Sequence, residues 1–61
     1  MAKLPLMTPT ELAAILSVPL GTIYAWSSAG KGPTPIKIGR HIRYRVRDVE
    51  AFLDEQAKDA G

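Results

Sequence analysis

Thr8-Pro9-Thr10-Glu11-Leu12-Ala13-Ala14-Ile15-Leu16-Ser17-Val18-Pro19-Leu20-Gly21-Thr22-Ile23-Tyr24-Ala25-Trp26 is the stretch that decides the fold. Thr8 offers a side-chain oxygen to a free amide of a first helical turn. Pro9 sits where its missing N–H costs nothing, and Glu11, three residues after Thr8, completes a capping box. Leu12, Ile15 and Leu16 then recur at helical spacing, which predicts a helix over residues 9–16. Ser17-Val18-Pro19 ends it, because the residue before a proline avoids helical geometry. Val18, apolar inside the turn, is expected to plug the gap between two helices. Pro19 restarts the chain with a helix-ready φ, and a second helix is expected over residues 20–29, with Ile23 and Trp26 as inward anchors and Gly30 as its terminator. Gly21 lowers helix propensity by up to ~1 kcal/mol relative to alanine and leaves the backbone open to close approach. Two helices joined by three residues, each too short to stand alone, read as a helix-turn-helix; the plain alternative is an arbitrary αα-hairpin.

Downstream, Lys31-Gly32-Pro33-Thr34-Pro35 is a loop, punctuated by one glycine and two prolines. Ile36-Lys37-Ile38 and Ile42-Arg43-Tyr44-Arg45 alternate apolar and basic residues with period two around a turn at Gly39-Arg40-His41. That alternation predicts Ile36, Ile38, Ile42 and Tyr44 on the core face. It places Lys37, Arg43 and Arg45 opposite, with Arg40 and His41 at the tip. A last helix is expected from about Val46 to Lys58, its apolar stripe formed by Val49, Phe52 and Leu53, with Asp48 favourably placed in its first turn. Residues 1–7 and 58–61 are expected to be flexible. Helix, turn, helix, two-stranded wing, helix is the order of a winged helix-turn-helix. The expected class is therefore α+β and mostly helical, in one domain over residues 1–61.

Composition narrows the function. A chain of 61 residues buries only about 60% of the surface it exposes when unfolded, so a deep cleft would compete with the core. Cysteine is absent, so no disulfide, zinc finger or thiol nucleophile is available. His41 is the only histidine, which argues against a metal site and against a Ser-His-Asp device. Gly30-Lys31-Gly32 lacks the strand and spacing of a phosphate-binding loop. No catalytic residue, metal or cofactor is expected. No apolar run approaches the ~20 residues needed to cross a bilayer. The opening Met1-Ala2-Lys3-Leu4-Pro5-Leu6-Met7 is too short for a secretory signal. We therefore expect a cytoplasmic protein with no membrane partner.

Charge is segregated. Lys31, Lys37, Arg40, Arg43, Arg45 and Arg47 are six cations in a stretch without an acid, whereas residues 48–61 hold five acids and one lysine. Such asymmetry suggests a face built for a polyanion. A helix-turn-helix lays its second helix in the major groove of DNA. The outward positions expected there are Leu20, Gly21, Thr22, Tyr24, Ala25, Ser27 and Ser28, none of them charged. Thr22 and Tyr24 suit phosphates or bases, although Tyr24 also reads as a half-buried core aromatic; Trp26 reads as core. Few bidentate base contacts are expected, since arginine to guanine is the commonest of these. Arg40, Arg43 and Arg45 suit phosphates or a narrow minor groove, with Lys31 and Lys37 adding phosphate contacts. The dull alternative is a solvated strand face. Neutralising about four phosphates would give a slope of log K against log salt near −3.6.

Thr8 to Ala13, Val18 to Trp26, Lys37-Ile38-Gly39-Arg40-His41-Ile42-Arg43-Tyr44 and Asp48-Val49-Glu50-Ala51-Phe52-Leu53, taken in order, resemble the small excisionase-type winged-helix family. That group is related to the DNA-binding half of MerR-type regulators and to AlpA-like phage regulators. The likeness spans residues 8–54. It implies a recombination directionality factor that binds repeated attachment-site DNA cooperatively beside neighbouring copies of itself, bends it, and turns a partner integrase toward excision. It makes Thr22, Tyr24, Ser27 and Ser28 recognition-helix contacts, and Arg40, Arg43 and Arg45 wing contacts. Many relatives carry Arg or Lys where this chain has Ser27, which makes cooperative binding the more attractive expectation. Two other functions fit the same residues: a small transcription regulator of a phage or mobile element, and a protein-interaction module whose basic face docks an acidic partner.

Overall fold

The capping box forms as the sequence predicts. In the computed structural model, which describes residues 6–60 (side chains to Lys58), the Thr8 amide donates to Glu11 Oε1 at 2.8 Å. The Glu11 amide donates to Thr8 Oγ1 at 3.1 Å. Between them these bonds satisfy amides at the start of helix α1 (Pro9–Leu16). Ser17 ends α1 in the left-handed region at φ 57°. Its amide and that of Val18 turn back to the carbonyls of Ala14 (3.3 Å) and Ala13 (3.0 Å). This reversal satisfies two carbonyls of the last turn and swings the chain through 111° into helix α2 (Leu20–Ala29). The bend lies within the 90–120° characteristic of a helix-turn-helix. Gly30 terminates α2 in the left-handed region at φ 71°, its amide bonded to Trp26 O.

Three strands follow the helices in space, one more than the expected wing. They are β1 (Leu6–Met7), β2 (Pro35–Ile38) and β3 (His41–Arg45), in the order β1-β3-β2. Helix α3 (Val46–Ala60) leaves β3 without an intervening loop. Leu6 and Met7, expected to be flexible, pair with Arg45 and Tyr44. Residues 1–5 and Gly61, the rest of the expected flexible ends, lie outside the described residues, and α3 continues through Ala60.

The hairpin corrects the expected strand faces. Only Gly39 and Arg40 form the turn, so Ile38 pairs with His41, Lys37 with Ile42, Ile36 with Arg43 and Pro35 with Tyr44. Directly paired residues of an antiparallel ladder share a face. A three-residue turn at Gly39-Arg40-His41 would have aligned the four apolar residues; losing one residue from it reverses β2 relative to β3. One face therefore holds Met7, Pro35, Lys37, Ile42 and Tyr44, and the other holds Leu6, Ile36, Ile38, His41, Arg43 and Arg45. Ile38 is accordingly half exposed, whereas Tyr44 is 1% exposed.

Tyr44 joins Leu12, Ala13, Ile23 and Val49 in the buried core, with Met7, Leu16, Val18, Trp26 and Ile42 packed around them. Each fully buried aliphatic side chain in that set is worth about 1.5–3 kcal/mol relative to leaving it in water. Val18 thus fills the space between helices as its position in the turn implied. Ile15 and Leu53, expected inward, are 61% and 41% exposed. On α3, Val49 and Phe52 do the inward packing, and Phe52 meets Trp26 with ring centroids 5.4 Å apart. Among the described residues no single helix is long and apolar enough to cross a membrane.

Candidate nucleic-acid interface

With Ile23 buried and Trp26 partly buried, α2 turns its other side to solvent. Gly21, Tyr24, Ala25 and Ser28 fall at i, i+3, i+4 and i+7, one stripe along the helix, and all four are exposed. Tyr24 is 48% exposed, so it is half-buried and stands outside the buried core. Thr22 and Ser27, expected fully outward, lie at the edges of this stripe and are partly buried. The Ser27 hydroxyl donates to the Tyr24 carbonyl at 2.9 Å. Serine, lacking a long chain, satisfies its hydroxyl on its own helix in this way and presents less of itself outward.

The sheet packs through β3 against α1 and α3. Tyr44, on the core-facing side of β3, has its hydroxyl pKa raised above the ordinary phenol value, first by burial and then by repulsion from Tyr24. Tyr24, exposed on α2, is thus close enough to Tyr44 for the two phenols to interact. Lys37 projects from the Tyr44 side of the sheet and is exposed. Arg40 is exposed at the turn, His41 at the first position of β3, and Lys31 just past the end of α2.

The remaining sequence-predicted cations lie on the sheet's outer face rather than with Lys37. Arg43 is partly buried there, and its Nη1 donates to the Ile42 carbonyl at 2.8 Å. Arg45 Nη1 lies 3.8 Å from Asp48 Oδ2, an ion pair too long to be a hydrogen bond. Asp48 Oδ2 is itself buried without a hydrogen-bond partner, so the Arg45 charge is its compensation. Among the described residues, Lys31, Lys37, Arg40 and Arg43 have no carboxylate partner. The structure thus exposes Tyr24 and Ser28 on α2, sets Lys37 on the Tyr44 side of the sheet with Arg40 at the turn, and places Arg43 and Arg45 on the opposite side. Which side each strand residue takes depends on a single residue of turn length, a signal the period-two alternation alone does not carry.

Most of the acids lie on α3. Glu50, Asp54 and Glu55 are exposed along α3, where Lys58 pairs with Glu55 at 3.7 Å. Among the described residues no group of three histidine or acidic side chains is placed to hold a metal ion. A shallow groove between the loop after α2 and α3 is lined by Trp26, Lys31, Gly32, Phe52, Glu55 and Gln56, so Lys31 and Glu55 share it.

A family model described as a helix-turn-helix domain matches residues 6–57. No curated protein matches the chain. No solved structure matches it either.

Proposed function

The chain belongs to the helix-turn-helix domain family, and from that premise we propose that it binds double-stranded DNA, reading sequence with α2 and holding the backbone with the wing. The observation that carries this reading is an exposed α2 face free of charge in a chain whose Lys31, Lys37 and Arg40 are exposed and have no carboxylate partner among the described residues. Small and hydroxylated side chains on α2 fit into a groove lined with hydrogen-bonding base edges and thymine methyls. Lys37, Arg40 and Lys31 supply the sequence-independent attraction to phosphate. Thr22, Tyr24 and Ser28 are assigned the groove. Ser27, His41 and Arg43 are flanking contacts, and Arg45, already engaged by Asp48, is the weakest of the proposed set. No bond-making or bond-breaking step is assigned to any residue.

Within DNA binding, the finer role we propose is excision. It rests on the likeness of residues 8–54 to excisionase-type winged helices and on a recognition face with little capacity for strong single-site contacts. A protein of that kind gains occupancy by binding adjacent sites with copies of itself and bending the DNA for an integrase. DNase footprinting on a lone site and on a tandem array tests it. Stronger protection of the array, together with bending, is expected. Equal protection of both without bending would instead favour a transcription regulator acting at one operator. An in vitro excision reaction with integrase, run with and without the protein, then separates the two roles.

A further inference from the structure

Four glycines lie among the described residues, and three of them answer to the fold. Gly30, Gly32 and Gly39 have φ of 71°, 73° and 62°, values that side-chain-bearing residues rarely adopt. Gly32 additionally presses on Trp26, where a Cβ would sit 2.6 Å from a ring carbon. Gly21 differs on both counts. Its φ is not positive, and a Cβ added to it would meet nothing within 4 Å. It sits in the first turn of α2, where glycine is a poor helix former. The fold therefore has room for a side chain at position 21, and glycine there works against the helix that carries it.

The position is also specific. Gly21 shares the exposed stripe of Tyr24, Ala25 and Ser28, and it is the end of that stripe nearest the helix-turn-helix bend. In DNA readers of this architecture, the first residues of the second helix come closest to the base edges. We infer that Gly21 is the point at which the α2 backbone meets the duplex with no side chain between them, so that the missing Cβ sets how deeply the helix seats in the major groove. This inference rests on the proposed DNA-binding reading and adds to it a depth-setting residue that makes no hydrogen bond or charge contact of its own.

The test compares wild type with Gly21→Ala and Gly21→Leu. Thermal melts are read beside fluorescence anisotropy on a duplex selected by the wild-type protein from a randomised pool. Both variants are expected to fold, with the alanine variant melting a few degrees higher, about 2–4 °C. Affinity is expected to fall about tenfold or more for alanine, and further for leucine, an effect of at least about 1.4 kcal/mol by the usual conversion. Stability and binding thus move in opposite directions. Wild-type affinity in Gly21→Ala overturns the inference while leaving DNA binding intact. A lower melting temperature in Gly21→Ala also overturns it, because the glycine would then serve the fold. Failure of the wild type to bind any duplex removes the DNA-binding reading itself and this inference with it.

Discussion

Tyr44 is the largest fully buried side chain and carries a titratable group into the core. Burial, and secondarily the neighbouring Tyr24, raises its pKa from 10.0. The folded chain thus holds the phenol proton more tightly than the unfolded chain does. The stability this contributes is fully present below the ordinary phenol value and is lost as pH rises through the raised one. Denaturant midpoints measured across the alkaline range should fall less steeply in Tyr44→Phe than in wild type; parallel curves would contradict the shift. Lys37 and Arg45 offer a second comparison at this scale. Lys37 is unpaired on the Tyr44 side of the sheet, while Arg45 faces Asp48 on the other side. On the proposed DNA-binding reading, Lys37→Ala should reduce the salt slope by about one unit and Arg45→Ala by clearly less. Equal losses would mean that the outer face of the wing also meets phosphate. Both residues read alike in the sequence, as basic positions in alternating strands. What separates them is the register, and the register follows from a turn one residue shorter than the glycine and its neighbours suggested.

Elements differ in how plainly the sequence announces them. Helices α1 and α2 were legible at both ends, because Thr8, Pro9 and Glu11 mark a start, Val18-Pro19 a stop and Gly30 a left-handed terminus. Thr8→Ala should accordingly lower stability by about 1 kcal/mol in urea unfolding. No change would mean that the capping box seen here contributes nothing. Strand β1 was not legible: two residues, Leu6 and Met7, are too few for any period, and only the exposed edge of β3 gives them a partner. Faces within a helix were legible only in part. Ile15 follows the same spacing as Leu12, yet α1 is covered on one side and Ile15 stays 61% exposed while Leu12 is fully buried. Leu12→Ala should therefore cost about 2–5 kcal/mol. Ile15→Ser should stay within about 0.5 kcal/mol, as a surface change does. A large loss at Ile15 would imply that a partner covers it.

The whole molecule separates its charges only in part: Lys37 and Arg40 are exposed on the wing without a carboxylate partner among the described residues and acids run along α3, but Lys31 shares a groove with Glu55 and Arg45 pairs with Asp48. That segregation was visible as two blocks in the sequence, but its three-dimensional form was not, because the basic block divides between the two faces of one small sheet. The proposed preference for tandem sites belongs to this scale, since it depends on how whole molecules lie side by side on DNA and on no single contact.

The central claim is that the exposed side of α2 and the wing are where duplex DNA binds. Titrating a selected duplex into the isotope-labelled protein, and following backbone amides by NMR, tests it residue by residue. The largest shifts should fall on Gly21, Thr22, Tyr24, Ala25 and Ser28 and on Lys37 to His41, with Glu50 to Lys58 little changed. Shifts concentrated along α3, or none at any duplex concentration, would contradict the account.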